Sequence, residues 1–297
     1  MQGIQLAPNP RFLLRNNNIT RTRFLPLPLR PSHSNNLASA SPLRPDPQIL
    51  HANPRFCRAM AAAAAAVTPV THVVFDMDGL LLDTEKFYTE VQEIILARYN
   101  KTFDWSLKAK MMGGKALESA RIFVEETGIS DSLSAEQFLV EREEMLQKLF
   151  PTTELMPGAS RLIKHLHAKG IPMALATGSH KRHFGLKTTK HGELFSLMHH
   201  LVLGDDPEVK QGKPAPDVFL AAARRFEGGP VDPQKILVFE DAPSGVRAAK
   251  NAGMSVVMVP DPRLDSSYHD GADQVLKSLL DFNPSYWGLP PFEDAEN

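Results

Sequence analysis

From Thr71 onward, short apolar runs alternate with longer amphipathic segments along the chain. Each run has only a few residues and is bounded by glycine, proline or charged residues, which is typical of buried β-strands. The segments between the runs carry helical signals. This alternation predicts βαβ units and an α/β fold with a parallel sheet. The predicted strands are residues 72–76, 171–176, 199–203, 235–239 and 254–259.

Three helices are predicted between these strands. Residues 158–169 place leucine and isoleucine on one helical face, and Gly170 is suited to the left-handed residue that ends a helix. Residues 216–225 begin with a proline, which a first helical turn tolerates. A further helix is predicted from Ser244 to Gly253. Helices in these places are what a parallel sheet needs to connect its strands.

The first two predicted strands are separated by about a hundred residues without a strand signal. Apolar positions recur there at helical spacing, as Phe87 and Val91 do, and Ser134 with Gln137 forms a capping box. A loop of this length without structure of its own is uncommon. We therefore predict a helical insertion, residues 86–152. Its hinges are predicted at residues 82–85 and 152–157.

The first 59 residues differ in composition from the rest of the chain. They carry eight arginines, no lysine and a single acid, Asp46, whereas the remainder is acidic. An Arg-rich, acid-poor N-terminus predicts an organelle transit peptide. The arginine content favours the mitochondrion over the plastid. Translation from Met60 would instead give a cytoplasmic form without this leader.

Several kinds of partner are excluded by composition. No apolar run reaches the roughly 18 residues that span a bilayer, so we expect a soluble protein without a membrane partner. The acidic body argues against nucleic acid, because phosphate backbones bind clustered Lys and Arg. The one cysteine, Cys57, lies in the predicted leader, so the mature chain has no disulfide or thiolate site. No obligate protein partner is indicated.

Polar side chains follow the ends of the predicted strands, and the carboxyl ends of parallel strands meet at one edge of a sheet. Asp76 and Asp78 lie one residue apart at the first strand end, so the strand period points both to one face. Two carboxylates held that close repel each other unless a metal or a shared proton compensates them. The later strand ends and loops contribute Thr177, Gly178, Lys213, Glu240 and Asp241.

These carboxylates, the hydroxyl and the lysine are suited to phosphoryl transfer. Oxygen ligands without histidine or cysteine favour Mg²⁺, which we expect as the cofactor. An aspartate can form a covalent aspartyl-phosphate. Lysine, a threonine hydroxyl and loop N–H groups can neutralise the transferred group. A second acid beside the nucleophile can protonate the leaving alcohol and later activate water.

In their order along residues 71–260, these positions resemble the four motifs of the haloacid dehalogenase-like hydrolase superfamily. The motifs are Asp76-x-Asp78-Gly79, Thr177, Lys213-Pro214 and Glu240-Asp241. The helical insertion resembles the cap of the phosphoglucomutase-like and phosphatase members. The resemblance implies a Rossmann-like parallel sheet core, residues 60–85 and 153–297, with an inserted all-helical cap domain.

By that resemblance, each motif residue has an expected role. Asp76 is the nucleophile and Asp78 the general acid and base. The phosphoryl oxygens are bound by Thr177, Gly178 and Lys213, and Lys213 also balances the charge of Asp76. The expected Mg²⁺ ligands are Asp76, the backbone carbonyl of Asp78 and Asp241, with Glu240 nearby.

The sharpest feature of the helical insertion is residues 108–115, predicted as a flexible basic loop ahead of a helix. Adjacent glycines, Gly113 and Gly114, suit a close approach of the backbone to a ligand. One interpretation places Lys115 over the active site in contact with substrate. The other, equally open, makes Lys115 a surface residue at a helix N-terminus.

More narrowly, residues 74–85, 212–217 and 239–245 resemble the plant glycerol-3-phosphatases. This implies a Mg²⁺-dependent phosphomonoesterase acting on glycerol 3-phosphate or a similar small polyol phosphate. The alternatives are a β-phosphoglucomutase-like mutase and a phosphatase of another sugar, nucleotide or flavin monophosphate. A receiver-like signalling module fits poorly, because it has no use for Asp78 or for an inserted cap.

Overall fold

The computed structural model describes residues 68–111 and 116–293. The predicted leader, residues 1–59, lies outside the described residues, as does Lys115. Six strands form one parallel sheet in the order β3-β2-β1-β4-β5-β6. The strands are β1 (His72–Phe75), β2 (Met173–Ala176), β3 (His200–Val202), β4 (Ile236–Glu240), β5 (Ser255–Met258) and β6 (Gln274–Val275). The five predicted strands and the α/β class are confirmed.

Nine α-helices lie in the described part of the chain. They are α1 (Glu85–Ala97), α2 (Trp105–Met111), α3 (Ala116–Glu126), α4 (Ala135–Leu149), α5 (Ala159–Ala168), α6 (Lys181–Lys187), α7 (Gly192–Phe195), α8 (Asp217–Arg224) and α9 (Pro243–Asn251). Short 3₁₀ turns occupy Phe150–Thr152, Pro233–Lys235, Ser266–His269, Leu279–Asp281 and Pro284–Trp287. None of the helices described here has the length and apolar character needed to cross a bilayer.

The sheet is buried on both faces, because its strands send alternate side chains into two hydrophobic clusters. Val73 and Phe75 of β1 lie in one cluster, which includes residues of α5, and Val74 lies in the other, which includes residues of α8 and α9. Phe75 stacks on Phe239 of β4 with ring centroids 5.1 Å apart. Burial on both faces explains why these strands are continuous apolar runs.

The register of the central strands places their ends at one level. Phe75 of β1 lies opposite Leu175 of β2 and Phe239 of β4. The residue after each of these three, Asp76, Ala176 and Glu240, therefore lies at the same edge of the sheet. This edge holds the candidate site described below.

Helices α1 to α4 bury a third cluster of their own. Phe87, Val91 and Phe138 are almost fully buried in it, and Phe123 stacks on Phe138 with ring centroids 4.1 Å apart. The capping box at the start of α4 is confirmed, with both reciprocal hydrogen bonds between Ser134 and Gln137. The separate cluster supports a helical insertion at residues 86–152, whose boundaries as a domain stay a prediction.

Two details differ from the sequence-based expectations. Strand β6 was not predicted, because its two residues at the sheet edge carry no apolar run. The predicted loop at residues 108–115 is wrong at its start, because Trp105–Met111 is helical. Lys108 is buried there and lies 3.1 Å from Glu85 Oε2. This ion pair with Glu85 of a neighbouring helix holds Lys108 in place. The spacing of residues along the sequence does not reveal such a contact.

Candidate active site

A cavity of about 680 Å³ lies at the carboxyl edge of the sheet and extends along helices α1 to α4. Its lining includes every described residue to which the sequence assigned a role: Asp76, Asp78, Thr177, Gly178, Lys213, and the pair Glu240 and Asp241. The structure therefore brings these residues into one site. Volumes of this order are ordinary for small-molecule sites.

Lys213 lies between two carboxylates from different strands. Its Nζ is 2.5 Å from Asp76 Oδ1 and 2.6 Å from Glu240 Oε1, and it also donates to the Ala176 carbonyl at 3.2 Å. Burial alone would lower the pKa of Lys213, but the two carboxylates outweigh burial and raise it. The lysine is therefore a fixed positive charge beside Asp76.

One lysine does not balance the acids around it. Burial raises the pKa of Asp76 to about 7; Lys213 opposes this rise, and Glu240 and Asp78 add to it. Burial, with Glu240 and Asp76, also raises the pKa of Asp241 well above its usual value. Asp76, Glu240 and Asp241 each offer a carboxylate oxygen within 4.8 Å of the others. Such an excess of negative charge on hard oxygen ligands fits a divalent cation.

Glu240 is anchored differently from its neighbour Asp241. Its Oε2 accepts the backbone N–H groups of Asp241 at 3.0 Å and Ala242 at 3.1 Å, at the start of helix α9. A carboxylate at a helix N-terminus is favoured by the helix dipole. Both oxygens of Glu240 are thus engaged within the protein, which gives it a supporting position.

Asp241 approaches the backbone of the turn that follows Asp78. Gly79 has a φ of 76°, and a Cβ at this position would lie 2.3 Å from Asp241 Oδ2. Glycine is therefore required here for two reasons, its left-handed conformation and its missing side chain. Gly79 therefore allows Asp241 to lie close to the turn that carries Asp76 and Asp78.

Asp78 has a separate set of partners, to which the sequence assigned no role. Its carboxylate accepts from Lys187 Nζ at 2.6 Å, Thr84 Oγ1 at 2.7 Å and Ser179 Oγ at 2.7 Å. Burial would raise the pKa of Asp78, but Lys187 and these hydrogen bonds outweigh burial and lower it. Lys187 is only 1% exposed. No periodic or motif signal in the sequence distinguishes it from a surface lysine.

The loop after β2 contributes Thr177 and Gly178. Thr177 is 1% exposed, and its Oγ1 accepts the Ser179 N–H at 3.1 Å, which leaves the hydroxyl proton available for another acceptor. Gly178 carries its backbone into the same lining. The positions of both residues are compatible with binding a phosphoryl oxygen, a role that stays a prediction.

The cavity wall where the helical insertion meets α6 contains polar residues to which the sequence assigned no role. His183 of α6 lies 2.8 Å from Glu143 Oε2 of α4, so these two helices are linked beside the cavity. Tyr88 OH lies 3.3 Å from Lys187 Nζ. Arg142 lines the same cavity. These residues lie on amphipathic helices, where a polar side chain at the edge of the apolar stripe gives no distinct signal.

Comparison with known proteins places this geometry in context. The model of the haloacid dehalogenase-like hydrolases matches residues 70–253. The (DL)-glycerol-3-phosphatase 2 of Arabidopsis thaliana is 78% identical over 235 residues, covering 79% of this chain and 98% of that protein. The mitochondrial (DL)-glycerol-3-phosphatase 1 of the same plant is 66% identical over 297 residues, covering 94% of this chain and 99% of that protein.

A solved structure resembles this one over most of its length. The putative β-phosphoglucomutase from Thermotoga maritima superposes with a TM-score of 0.56 at 31% sequence identity. The match covers 70% of this chain and 94% of that protein. The fold described above therefore has a counterpart in an experimental structure over most of the described residues.

Proposed function

We propose that this chain, which belongs to the haloacid dehalogenase-like hydrolases, is a Mg²⁺-dependent phosphomonoesterase. Its substrate is glycerol 3-phosphate or a similar small polyol phosphate, which it hydrolyses to the alcohol and inorganic phosphate. The observation that carries this proposal is the fixed contact of Lys213 with Asp76 beside the carboxylates of Glu240 and Asp241. That arrangement provides a nucleophile, charge neutralisation and metal ligands in one place.

Mg²⁺ is supported by the ligand chemistry of the acid cluster. Asp76 and Asp241 would hold the ion, with the backbone carbonyl of Asp78 as a further ligand and Glu240 in support. When bound, the ion would neutralise charge on the phosphoryl oxygens and on these carboxylates. The raised pKa values of Asp76 and Asp241 support this assignment, because they mark charge that the described residues leave uncompensated.

The proposed reaction has two steps, the formation and the hydrolysis of an aspartyl-phosphate. An oxygen of Asp76 attacks phosphorus, the bond from phosphorus to the alcohol oxygen breaks, and a proton from Asp78 goes to that oxygen. The products of this step are the free alcohol and an aspartyl-phosphate. Water then attacks the same phosphorus and gives its proton to Asp78, which releases inorganic phosphate and restores Asp76. Lys213, Thr177 and the loop N–H groups hold the phosphoryl oxygens throughout.

The substrate assignment is supported by the two Arabidopsis relatives, both named (DL)-glycerol-3-phosphatases, at 66% and 78% identity. The site is built from the core and the helical insertion together, so a substrate in the cavity is enclosed by both. Enclosure excludes bulk water and strengthens the electrostatic contacts on the phosphoryl group.

Phosphate release from a panel of phosphomonoesters, with and without Mg²⁺, tests the proposal. Glycerol 3-phosphate is expected to be among the best substrates, and chelation of the metal should abolish turnover. Asp76→Asn should remove activity entirely, because the amide cannot attack phosphorus, and Asp78→Asn should lower it by about 10²- to 10⁴-fold. Undiminished turnover by Asp76→Asn would refute the mechanism, whereas a flat substrate panel would refute only the polyol assignment.

A sugar-phosphate mutase is the second candidate, supported by the structural similarity to the putative β-phosphoglucomutase. The two functions share the aspartyl-phosphate and differ in what accepts the phosphoryl group. A hydrolase releases inorganic phosphate from a hexose phosphate, whereas a mutase returns an isomer with phosphate retained. Product analysis by ³¹P NMR separates the two outcomes.

The Arg-rich residues 1–59 are proposed to direct the chain to the mitochondrion. The relative named as mitochondrial aligns with 94% of this chain, a share that extends into the leader. Import of the full chain into isolated mitochondria, with loss of the leader, is the expected result. Import into isolated plastids instead would contradict the assignment, and a chain begun at Met60 is the control that should not be imported.

A further inference from the structure

Arg142 of helix α4 is a half-buried cation without a hydrogen-bond acceptor among the described residues. Its Nε is fully buried and unpaired, although the side chain lines the cavity. The guanidinium lies 5.5 Å from the ring centroid of Phe138 and 5.9 Å from that of Tyr88, so two aromatic rings flank it. A buried N–H without an acceptor is unfavourable, and native structures rarely keep one.

The surroundings of Arg142 place it on one particular side of the cavity. Tyr88, next to Arg142, reaches Lys187 through its hydroxyl at 3.3 Å, and Lys187 in turn holds Asp78 at 2.6 Å. Lys213 instead serves the carboxylates of Asp76 and Glu240. Since Asp78 protonates the leaving alcohol in the proposed reaction, Arg142 lies on the side of the alcohol and Lys213 on the side of the phosphoryl group.

We propose that Arg142 determines substrate specificity by donating hydrogen bonds to oxygens on the alcohol part of the phosphate monoester. It thereby selects polyol phosphates over alkyl phosphates that lack hydroxyl groups. The charges of this wall balance, because Lys108 pairs with Glu85 at 3.1 Å and Glu143 lies beside Arg142 in the sequence, so a neutral polyol suits it better than a second anion. This inference rests on the proposed phosphatase function and deepens it.

The test compares two ligands that share a three-carbon chain and differ in two hydroxyl groups, glycerol 3-phosphate and n-propyl phosphate. A coupled glycerol assay gives kcat and KM for glycerol 3-phosphate. Competition in the same assay gives the inhibition constant of n-propyl phosphate, whether or not that compound is hydrolysed. Arg142→Met keeps an unbranched apolar stem that can pack against the two rings but removes every N–H donor of the guanidinium. Arg98→Met is the matched control, because Arg98 is an exposed arginine of the helical insertion outside the cavity.

Arg142→Met is expected to raise KM for glycerol 3-phosphate by about 10- to 100-fold, because a hydrogen bond from a charged donor is lost. The inhibition constant of n-propyl phosphate, which lacks the hydroxyl groups, should change by less than about threefold. Arg98→Met should change neither. Arg142→Lys should give an intermediate KM, because it keeps the charge without the guanidinium fork.

Equal changes in both constants, or no change in either, would overturn the inference, since a structural role for Arg142 does not distinguish the two ligands. Thermal unfolding of each variant shows whether an equal change comes from a damaged fold. Failure of the wild-type chain to release glycerol would contradict the proposed function itself, and this inference with it.

Discussion

Asp76 and Asp78 are separated by one residue, yet the structure gives them opposite electrostatic settings. Burial and neighbouring acids raise the pKa of Asp76 to about 7 despite Lys213. Lys187, together with hydroxyl donors, lowers the pKa of Asp78 despite burial. These shifts run opposite to the roles proposed for the two carboxyls, since a nucleophile must be ionised and a general acid must carry a proton. A cation held by Asp76 and Asp241 would lower the pKa of Asp76, and an anionic phosphate beside Asp78 would raise the pKa of Asp78, so the proposed roles belong to the loaded site.

Lys187 is expected to act as a positioning residue for Asp78. In Lys187→Met, Asp78 keeps two hydroxyl donors but loses the 2.6 Å contact that fixes its carboxyl in place, so kcat for glycerol 3-phosphate should fall by about 10- to 100-fold. The pKa of Asp78 should rise, because burial is no longer opposed by Lys187. The general acid then stays protonated to higher pH, and the alkaline limb of the pH–rate profile should move upward.

The control for this variant lies on the same helix. Lys181 begins α6 and is exposed, so Lys181→Met should leave both kcat and the pH–rate profile unchanged. If the alkaline limb of Lys187→Met stayed in place while kcat fell, the lysine would have only a structural role.

Metal binding should be linked to proton release at Asp76. A pKa of about 7 means that this carboxyl holds a proton below neutral pH in the metal-free chain, and Mg²⁺ binds the carboxylate. The affinity for Mg²⁺ should therefore fall as the pH is lowered through about 7, by up to about tenfold per pH unit for each proton released. Calorimetric titration in two buffers of different protonation enthalpy measures that release. Equal binding enthalpies in both buffers would contradict the linkage.

At the scale of elements, the site depends on how helix α9 begins. Glu240 ends β4 and accepts the N–H groups that open the connection to α9, while its other oxygen holds Lys213. Gly245 in the first turn of α9 makes room for this carboxylate, because a Cβ there would lie 1.7 Å from Glu240 Oε1. A strand end, a helix start and a loop lysine are thus fixed by one side chain.

Gly245→Ala tests this arrangement. The added methyl overlaps Glu240, so the free energy of unfolding should fall by about 1–3 kcal/mol, and activity should fall because Lys213 loses its position. Gly185→Ala is the matched control, because Gly185 lies inside α6 and an added Cβ would meet no atom within 4 Å apart from its chain neighbours and the backbone of α6. That variant should be stabilised by about 0.4–1 kcal/mol. Denaturant unfolding measures both, and equal effects would contradict the proposed crowding.

At the scale of the whole molecule, the described residues, 68–111 and 116–293, belong to one compact unit. It contains the two clusters on either side of the sheet and the third cluster among helices α1 to α4. The chain passes from the sheet to these helices after β1 and returns before α5. The cavity between sheet and helices takes residues from both, so substrate binding requires the two parts to be together.

A chain begun at Met60 should therefore fold and act without the leader. All three clusters and every described residue of the cavity lie after this position. The values of kcat and KM should therefore match those of the full chain within about twofold, and the temperature midpoint of unfolding should agree within about 2 °C. Side-by-side measurement of the two chains checks this. A large loss of activity would show that residues 1–59 contribute to the enzyme beyond targeting.

Much of the core could be predicted because its signals are local. The β1 run ending in Asp76, the proline before α8 and the capping box of α4 each depend on a few adjacent residues. The edge strand β6 cannot be predicted from the sequence, because its two residues carry no periodic pattern. The helix at residues 105–111 extends into the predicted loop, because Lys108 is stabilised by Glu85 from another helix.

The parallel sheet, the helices after its first strand and the convergence of acids at one edge could be inferred from residue order alone, because strand period and strand order act along the chain. The pairing of cations with acids became visible only in the folded protein. Lys187 lies 109 residues from Asp78 and Lys213 lies 137 residues from Asp76. Coulomb energy and burial depend on distance in space, so the pairing of these charges, and the unpaired Arg142, emerge only when the chain is folded.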